Sequence, residues 1–288
     1  MRPAVKGDVE RGLGFLRLQQ PKKECPVTST PSLLGEYLRA RRAMCQPADI
    51  GLQSDARRRV PGLRRDEVAT RAAISPEYYL RLEQGRGGAP SDQVLDGLAI
   101  ALNLDDTARV YMERLARPSG RLRGVRSVDV TDYSSILGVW EHLPAYLSDR
   151  NRDLVYSNEH HVRFTRGAQP LGSNLVEMLF SAPSRALNLE WEDFARRTLA
   201  ALRFDADPTD PRFTEILTRL RTDADFVRLW GRHDVEVPGR YTVRMESAES
   251  GRFELTVQHL RIPDLPGYQL TIYLRAAPIP HASSIRQP

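Results

Sequence analysis

The sequence predicts a multidomain chain of α and α+β class: an all-helical N-terminal domain, then a domain of helices and an antiparallel sheet. Three observations carry this reading. Apolar residues recur near the 3.6-residue helical spacing in several short segments between Leu33 and Ala116, each bounded by Ser, Pro, Gly or Asp. The final third instead alternates strictly, with Phe253, Leu255 and Val257 in one run and Tyr268, Leu270, Ile272 and Leu274 in another, the period of strands. Charge divides in the same way: residues 31–126 hold 17 basic and 12 acidic side chains, whereas residues 127–288 hold 19 basic and 22 acidic, within an overall net charge of +5.

Taken in order, residues 1–30 mix Pro, Gly and charge with little periodicity and read as a disordered tail, although Leu13, Phe15, Leu16 and Leu18 suit a short local helix. LLGEYLRARRAM from Leu33 reads as a first helix. Cys45 to Gly62, with Pro47, Gly51, Pro61 and Gly62 around Arg57-Arg58-Arg59, reads as a long loop, a length that points to function or mobility.

The stretch LRRDEVATRAAISPEYYLRLEQGR, Leu63 to Arg86, reads as two short helices around a tight turn. Glu67, Val68, Ala72, Ile74, Tyr79 and Leu82 mark the inward side. Ser75-Pro76 is a start signal, because serine caps free amides and proline suits the first turn, where no donor is needed. Gly85 is a stop signal. Pro76, Glu77, Tyr78, Leu80, Arg81 and Gln84 are left facing outward on a helix of about nine residues, a size that fits a DNA major groove. Ser91 then caps a fourth helix and Asp105 to Ala116 forms a fifth. This defines a helical domain over 31–117 and a Pro/Gly/Arg-rich linker over 118–130.

The remaining chain, 131–278, predicts a helix over Tyr133 to His142, then a hairpin of Ala145 to Ser148 and Leu154 to Ser157. Helices follow around Asn174 to Phe180, Glu190 to Leu202, Pro211 to Leu220 and Asp223 to Trp230, then strands over Tyr241 to Glu246, Arg252 to Ile262 and Tyr268 to Arg275. A short tail, 279–288, closes the chain.

Both halves resemble known families. The E-x-A segment at Glu67 to Ala69, the Ile74-Ser75 cap and the Leu-Glu-x-Gly end at Leu82 to Gly85 resemble the helix-turn-helix of XRE-type, phage-repressor-like regulators. The resemblance implies a five-helix lambda-repressor-like fold. Ala73 departs from it, because glycine is usual at that point of the turn and a left-handed alanine costs roughly 1 kcal/mol. DFVRLWGRHDV from Asp225, EWEDFARRTLAAL from Glu190 and LVYSNEHH from Leu154 are similar to the MmyB-like ligand-binding domain, a PAS-like module that accepts a small hydrophobic molecule of the fatty-acid type.

The expected function is therefore sequence-specific regulation of transcription, with double-stranded operator DNA and a fatty-acid-like ligand as partners and a homodimer as the working form. The alternative keeps DNA binding but gives the second domain to dimerisation or protein contacts without a ligand. Expected DNA contacts are Pro76, Glu77 and Arg81 on base edges and Arg65 and Arg86 on phosphates, with Arg64, Ser75, Tyr78 and Gln84 beside them and Arg57, Arg58 and Arg59 as further phosphate contacts. Expected ligand contacts are Tyr146, Tyr156, Asn158, Trp191, Phe194, Phe226, Trp230, His233, Phe253, Leu255 and Tyr273. Of 42 basic residues only Lys6, Lys22 and Lys23 are lysine, so phosphate contacts fall to planar arginine forks.

Other classes find little support. There is no GxSxG elbow, HExxH pair or phosphate-binding loop, so catalysis is not expected and no cofactor is called for. His160 and His161 are adjacent, about 100° apart on a helix, and do not share one metal ion. No apolar run approaches the roughly 18 residues of a membrane span and the start lacks a signal-peptide pattern, so a cytoplasmic protein with free Cys25 and Cys45 is expected.

Overall fold

The computed structural model describes residues 32–52, 60–117, 138–248, 251–263 and 265–278. The expected tails, the linker, Cys25, Arg57 to Arg59 and most of the helix expected over Tyr133 to His142 lie outside these residues.

Five helices make up the N-terminal part: α1 Leu33–Met44, α2 Arg65–Arg71, α3 Pro76–Glu83, α4 Asp92–Ala101 and α5 Asp106–Ala116. Their starts are set by capping side chains. Ser32, Ser75, Ser91 and Asp105 each accept from the backbone N–H three residues on, which satisfies a donor that the first helical turn leaves free. Tyr37, Leu38, Leu63, Val68, Tyr79, Leu82, Leu98, Leu102 and Met112 form one closed core. At about 1.5–3 kcal/mol for each large apolar side chain removed from water, this core, and not the short helices themselves, holds the domain together. Part of the expected loop after α1 is ordered as a 3-10 turn, Pro47–Ile50, because Asp49 accepts from the Gln46 amide at 2.8 Å and Pro47 occupies its first turn.

Close helix approach depends on two glycines. A Cβ at Gly35 would collide with the Glu83 carbonyl, and one at Gly97 would lie 2.6 Å from the Ala72 carbonyl oxygen. α1 therefore rides on the end of α3, and α4 rides on the end of α2.

The C-terminal part is a five-stranded antiparallel sheet of order β2-β1-β5-β4-β3, built from β1 Ala145–Ser148, β2 Leu154–Ser157, β3 Arg240–Ser247, β4 Gly251–Arg261 and β5 Gln269–Pro278. Six helices are inserted between β2 and β3: α6 Glu159–Thr165, α7 Leu175–Leu179, α8 Ala182–Leu187, α9 Trp191–Asp205, α10 Pro211–Leu220 and α11 Ala224–Trp230. An antiparallel sheet interrupted by helices after its second strand matches the order of hairpin, helices and strands read from the sequence. α6 and α8 are additions to the sequence reading. Asn158 caps α6 by accepting from the His161 amide at 2.8 Å, and Pro183 sits in the first turn of α8.

Both faces of the sheet are covered. Val243, Phe253, Leu255 and Val257 meet Phe164 and Phe194 of the helices, whereas Ala145, Leu147, Leu270 and Ile272 meet Trp140, Leu143 and Leu265 on the other side. The two alternating apolar sets of the sequence thus face opposite ways. On β5 the residues turned toward the helices are Gln269, Thr271 and Tyr273.

Ala73 in the α2–α3 turn has φ 55°, and the Ile74 amide donates back to the Ala69 carbonyl at 3.0 Å, a helix exit normally completed by glycine. Ala73→Gly is expected to raise unfolding stability by about 0.5–1 kcal/mol, the relief of left-handed strain less the extra entropy glycine loses on folding. Chemical denaturation checks this, and a loss of stability would contradict it.

Candidate functional site

Two sites can be built from the chain, one on α3 and one between the sheet and the inserted helices. On α3, Pro76, Glu77, Arg81 and Gln84 are exposed, as are the cap Ser75 and, beyond the exit at Gly85, Arg86. Gly85 has φ 72°, and the Arg86 amide bonds to the Arg81 carbonyl at 2.8 Å, so the helix ends where its outward residues end. Tyr78 is half-buried, and the Arg81 guanidinium lies 5.6 Å from its ring centre. Arg64 and Arg65 are exposed at the start of α2. A row of arginines thus flanks a short exposed helix, which is the chemistry of a phosphate-anchored groove reader.

What fixes α3 is Glu83, which is 1% exposed. Its carboxylate accepts from Arg42 Nε of α1 at 2.6 Å and from Arg65 Nε of α2 at 2.7 Å. Burial by itself would raise the carboxyl pKa, but the hydrogen bonds and charges of the two arginines outweigh it and hold the group below the usual glutamate range. Arg42 also bonds to the Leu63 carbonyl at 3.0 Å, and Leu63 N–H bonds back to the Arg42 carbonyl at 2.9 Å. Arg65, expected on phosphate, is therefore also a structural partner, with its side chain half exposed.

The second site is a cavity of about 790 Å³. Its apolar wall includes Phe164, Leu175, Met178, Leu179, Phe194, Ala201, Val243, Phe253, Leu255 and Val257. A polar group of Tyr146, Ser148, Arg152, Tyr241, His259, Gln269, Thr271 and Tyr273 also lines it. These polar side chains support one another: Arg152 donates to Gln269 at 2.6 Å and to Asp205 at 2.7 Å, while His259 bridges Thr271 at 2.9 Å and the Tyr241 hydroxyl at 3.2 Å. Burial, with the nearby Arg152 charge, pushes the His259 pKa down to about 3, so its imidazole is neutral. The cavity combines apolar walls with a polar group at one part of its lining, and its size falls within the range of small-molecule sites.

Of the ligand contacts expected from sequence, Tyr146, Phe194, Phe253, Leu255 and Tyr273 line the cavity. The others are placed elsewhere. Trp191 donates from its indole to the Leu179 carbonyl at 2.8 Å and lies edge-on to Phe180, and Phe226 stacks on Trp230 at 5.8 Å within the helical core. Asn158 is a structural hub that donates to Trp140 and Leu143 carbonyls at 3.1 and 2.8 Å, while Tyr156 packs with the apolar cluster of Leu147 and Ile272. His233, at φ 53°, lies against Tyr37 of α1. Residues that sequence reasoning did not name, among them Arg152, Arg197, His259 and Thr271, line the cavity as well. The polar alternation Gln269, Thr271, Tyr273 on β5 was the signal for part of that set.

Comparisons with known proteins agree with this division. A helix-turn-helix domain family matches residues 33–111, and the family described as the MmyB-like transcription regulator ligand binding domain matches residues 132–286. No curated protein matches the chain. Solved structures give distant likenesses, including a PAS domain from a two-component sensor histidine kinase at 14% identity, with 51% of this chain and 97% of that chain covered and a TM-score of 0.24. An RNA-binding light-oxygen-voltage receptor is similar at 12% identity, with 73% and 58% covered and a TM-score of 0.22.

Glu83 gives a pH prediction. Because its folded-state pKa is lowered, its contribution to stability is fully present above the unfolded-state value of about 4.3 and is lost as pH falls through the folded-state value. Glu83→Gln should destabilise the protein at neutral pH by roughly 3–5 kcal/mol, since it leaves the Arg42 charge uncompensated. It should also flatten the acid limb of a stability-against-pH curve; an unchanged acid limb would contradict the assignment.

Proposed function

Starting from the fact that the chain belongs to the MmyB-like transcription regulators, with a helix-turn-helix preceding the ligand-binding domain, we propose that it binds operator DNA through α3 and senses a fatty-acid-like molecule in the cavity. The observation that carries this reading is the pairing, in one chain, of an exposed capped α3 with a cavity of about 790 Å³ whose walls are mainly apolar and in which Arg152 is bonded to Gln269 and His259 to Thr271 and Tyr241. The chain then works as a homodimer. A helix of eight residues reads only a few base pairs, so two half-sites about one helical turn apart are needed for a specific site.

Within α3, Pro76, Glu77 and Arg81 are assigned to base edges. Arg64, Arg65 and Arg86 are assigned to phosphates, with Arg57 to Arg59 as further phosphate contacts. Arg81→Ala should remove roughly 1–3 kcal/mol of discrimination at one base pair. Arg86→Ala should weaken all sequences alike and lower the salt dependence of binding. Gel-shift titrations on the upstream region and on scrambled DNA separate the two; equal losses on both DNAs for Arg81→Ala would refute its role.

The ligand half of the reading is tested by mass spectrometry of an organic extract of the purified protein. A single class of fatty-acid-like molecule near equimolar amount is expected. An extract free of such molecules, from protein that also fails to take up added fatty acids, would favour a second domain that serves dimerisation or protein contacts.

A further inference from the structure

One set of contacts is used by neither site. Arg203 and Phe204 at the end of α9, together with the segment that follows α11, are packed on the helix-turn-helix. Phe204 and Val235 join the core that contains Tyr37 and Tyr111, and Arg114 of α5 donates to the Phe204 carbonyl. Asp234 reaches Arg41 of α1 at 3.6 Å, and the His233 ring lies 6.5 Å from that of Tyr37. Arg203, 5% exposed, holds this segment from behind, with its guanidinium 3.6 Å from the Trp230 ring centre and bonds to the carbonyls of Asp234 at 3.1 Å and Trp230 at 2.5 Å.

One residue further on, the same segment belongs to the cavity. The Glu236 amide bonds to the Ala200 carbonyl at 3.3 Å and its carboxylate pairs with Arg197 at 2.9 Å. Glu236, Pro238 and Gly239 line the cavity, as do Arg197, Thr198 and Ala201 of α9. Val235 and Glu236 are bonded neighbours in a segment outside helix and strand, so displacement of one is passed to the other.

We propose that residues 232–239 form a strap that couples cavity occupancy to the docking of the helix-turn-helix, with Val235 and Asp234 as its DNA-side end and Glu236 as its cavity-side end. The proposal rests on the reading that the cavity holds a ligand. An occupant that presses on Pro238 and Gly239, or that draws Arg197 away from Glu236, shifts the strap, and the shift passes to α1 through Asp234–Arg41 and through the core contact of Val235. The seam uses α1 and α5, while the outward residues of α3 stay exposed. The strap therefore changes how α3 is presented without covering it.

Hydrogen exchange read by mass spectrometry on the full chain tests this, with dodecanoic acid as the probe and calorimetry to establish that it is bound. On binding, peptides covering 232–239 and those covering α1 should both change their exchange rates by about fivefold or more. In Arg41→Ala the probe should still bind and the 232–239 response should persist, while the α1 response shrinks to the part carried by the core contact of Val235. A bound probe that leaves α1 unchanged in the natural chain would overturn the proposal. If dodecanoic acid does not bind, the ligand reading fails instead, and the strap is tested by Ala201→Phe or Thr198→Phe, each of which fills the cavity from α9. An α1 response in a folded variant supports the strap, and an unchanged α1 overturns it.

Discussion

The buried carboxylate of Glu83 is the constraint on which the DNA-reading half depends. It stands at the last residue of α3, where the helix dipole disfavours negative charge, and it is shielded from water, so two effects oppose its ionised form. Arg42 and Arg65 reverse the balance, and in doing so they tie α1 and α2 to the end of α3 by fixed, short bonds. Arg39 adds a bond to the Glu83 carbonyl at 3.2 Å, and Gly35 permits the close crossing at that point. The apolar core alone would keep three short helices together but would leave their rotation loosely defined, because hydrophobic contacts are not directional. The ion triad supplies the direction, and the direction decides which α3 side chains face outward.

In the other half, the same logic is applied to a cavity. Arg152 stands at φ 69° in the β1–β2 turn and reaches across the sheet to Gln269 and α9, so a buried cation there is compensated by Asp205 before any ligand arrives. Arg152, Tyr241, His259, Gln269 and Thr271 are thus held in place by protein partners, so that the apolar walls supply affinity and the polar groups supply orientation. α9 is shared between this space and the seam with α1 and α5. Its middle lines the cavity and its end enters the core of the helix-turn-helix. α9 with the proposed strap gives a short physical route between the cavity and the helix-turn-helix.

Much of α3 could be read from sequence because its rules are local. Ser75-Pro76, Gly85 and the spacing of Tyr79 and Leu82 fix start, end and face within a dozen residues, and the left-handed turn at Ala73 is where the sequence reading placed it. The cavity was harder to read for equally physical reasons. Trp191, Phe226 and Trp230 share their spacing with Phe194, yet they fill the helical core, since periodicity reports burial and does not separate core from cavity wall. β5 shows the same difficulty in reverse, because a sheet covered on both faces turns its polar row toward the cavity. Arg152 was invisible as a site residue because its burial depends on Asp205 and Gln269, which are distant in sequence. α6 buries only His161 and α8 buries no residue, so neither carries the apolar stripe by which a helix is read from sequence.

Ligand and DNA are proposed to act on one coupled molecule, and thermodynamic linkage tests that coupling. Titration calorimetry of dodecanoic acid into the full chain, alone and saturated with operator DNA, measures the coupling from the ligand side; gel shifts with and without the fatty acid measure it from the DNA side. The account predicts a change in affinity of roughly 5 to 150-fold, equal from the two directions. Fatty acid that binds equally tightly to the free and the DNA-bound protein would contradict it.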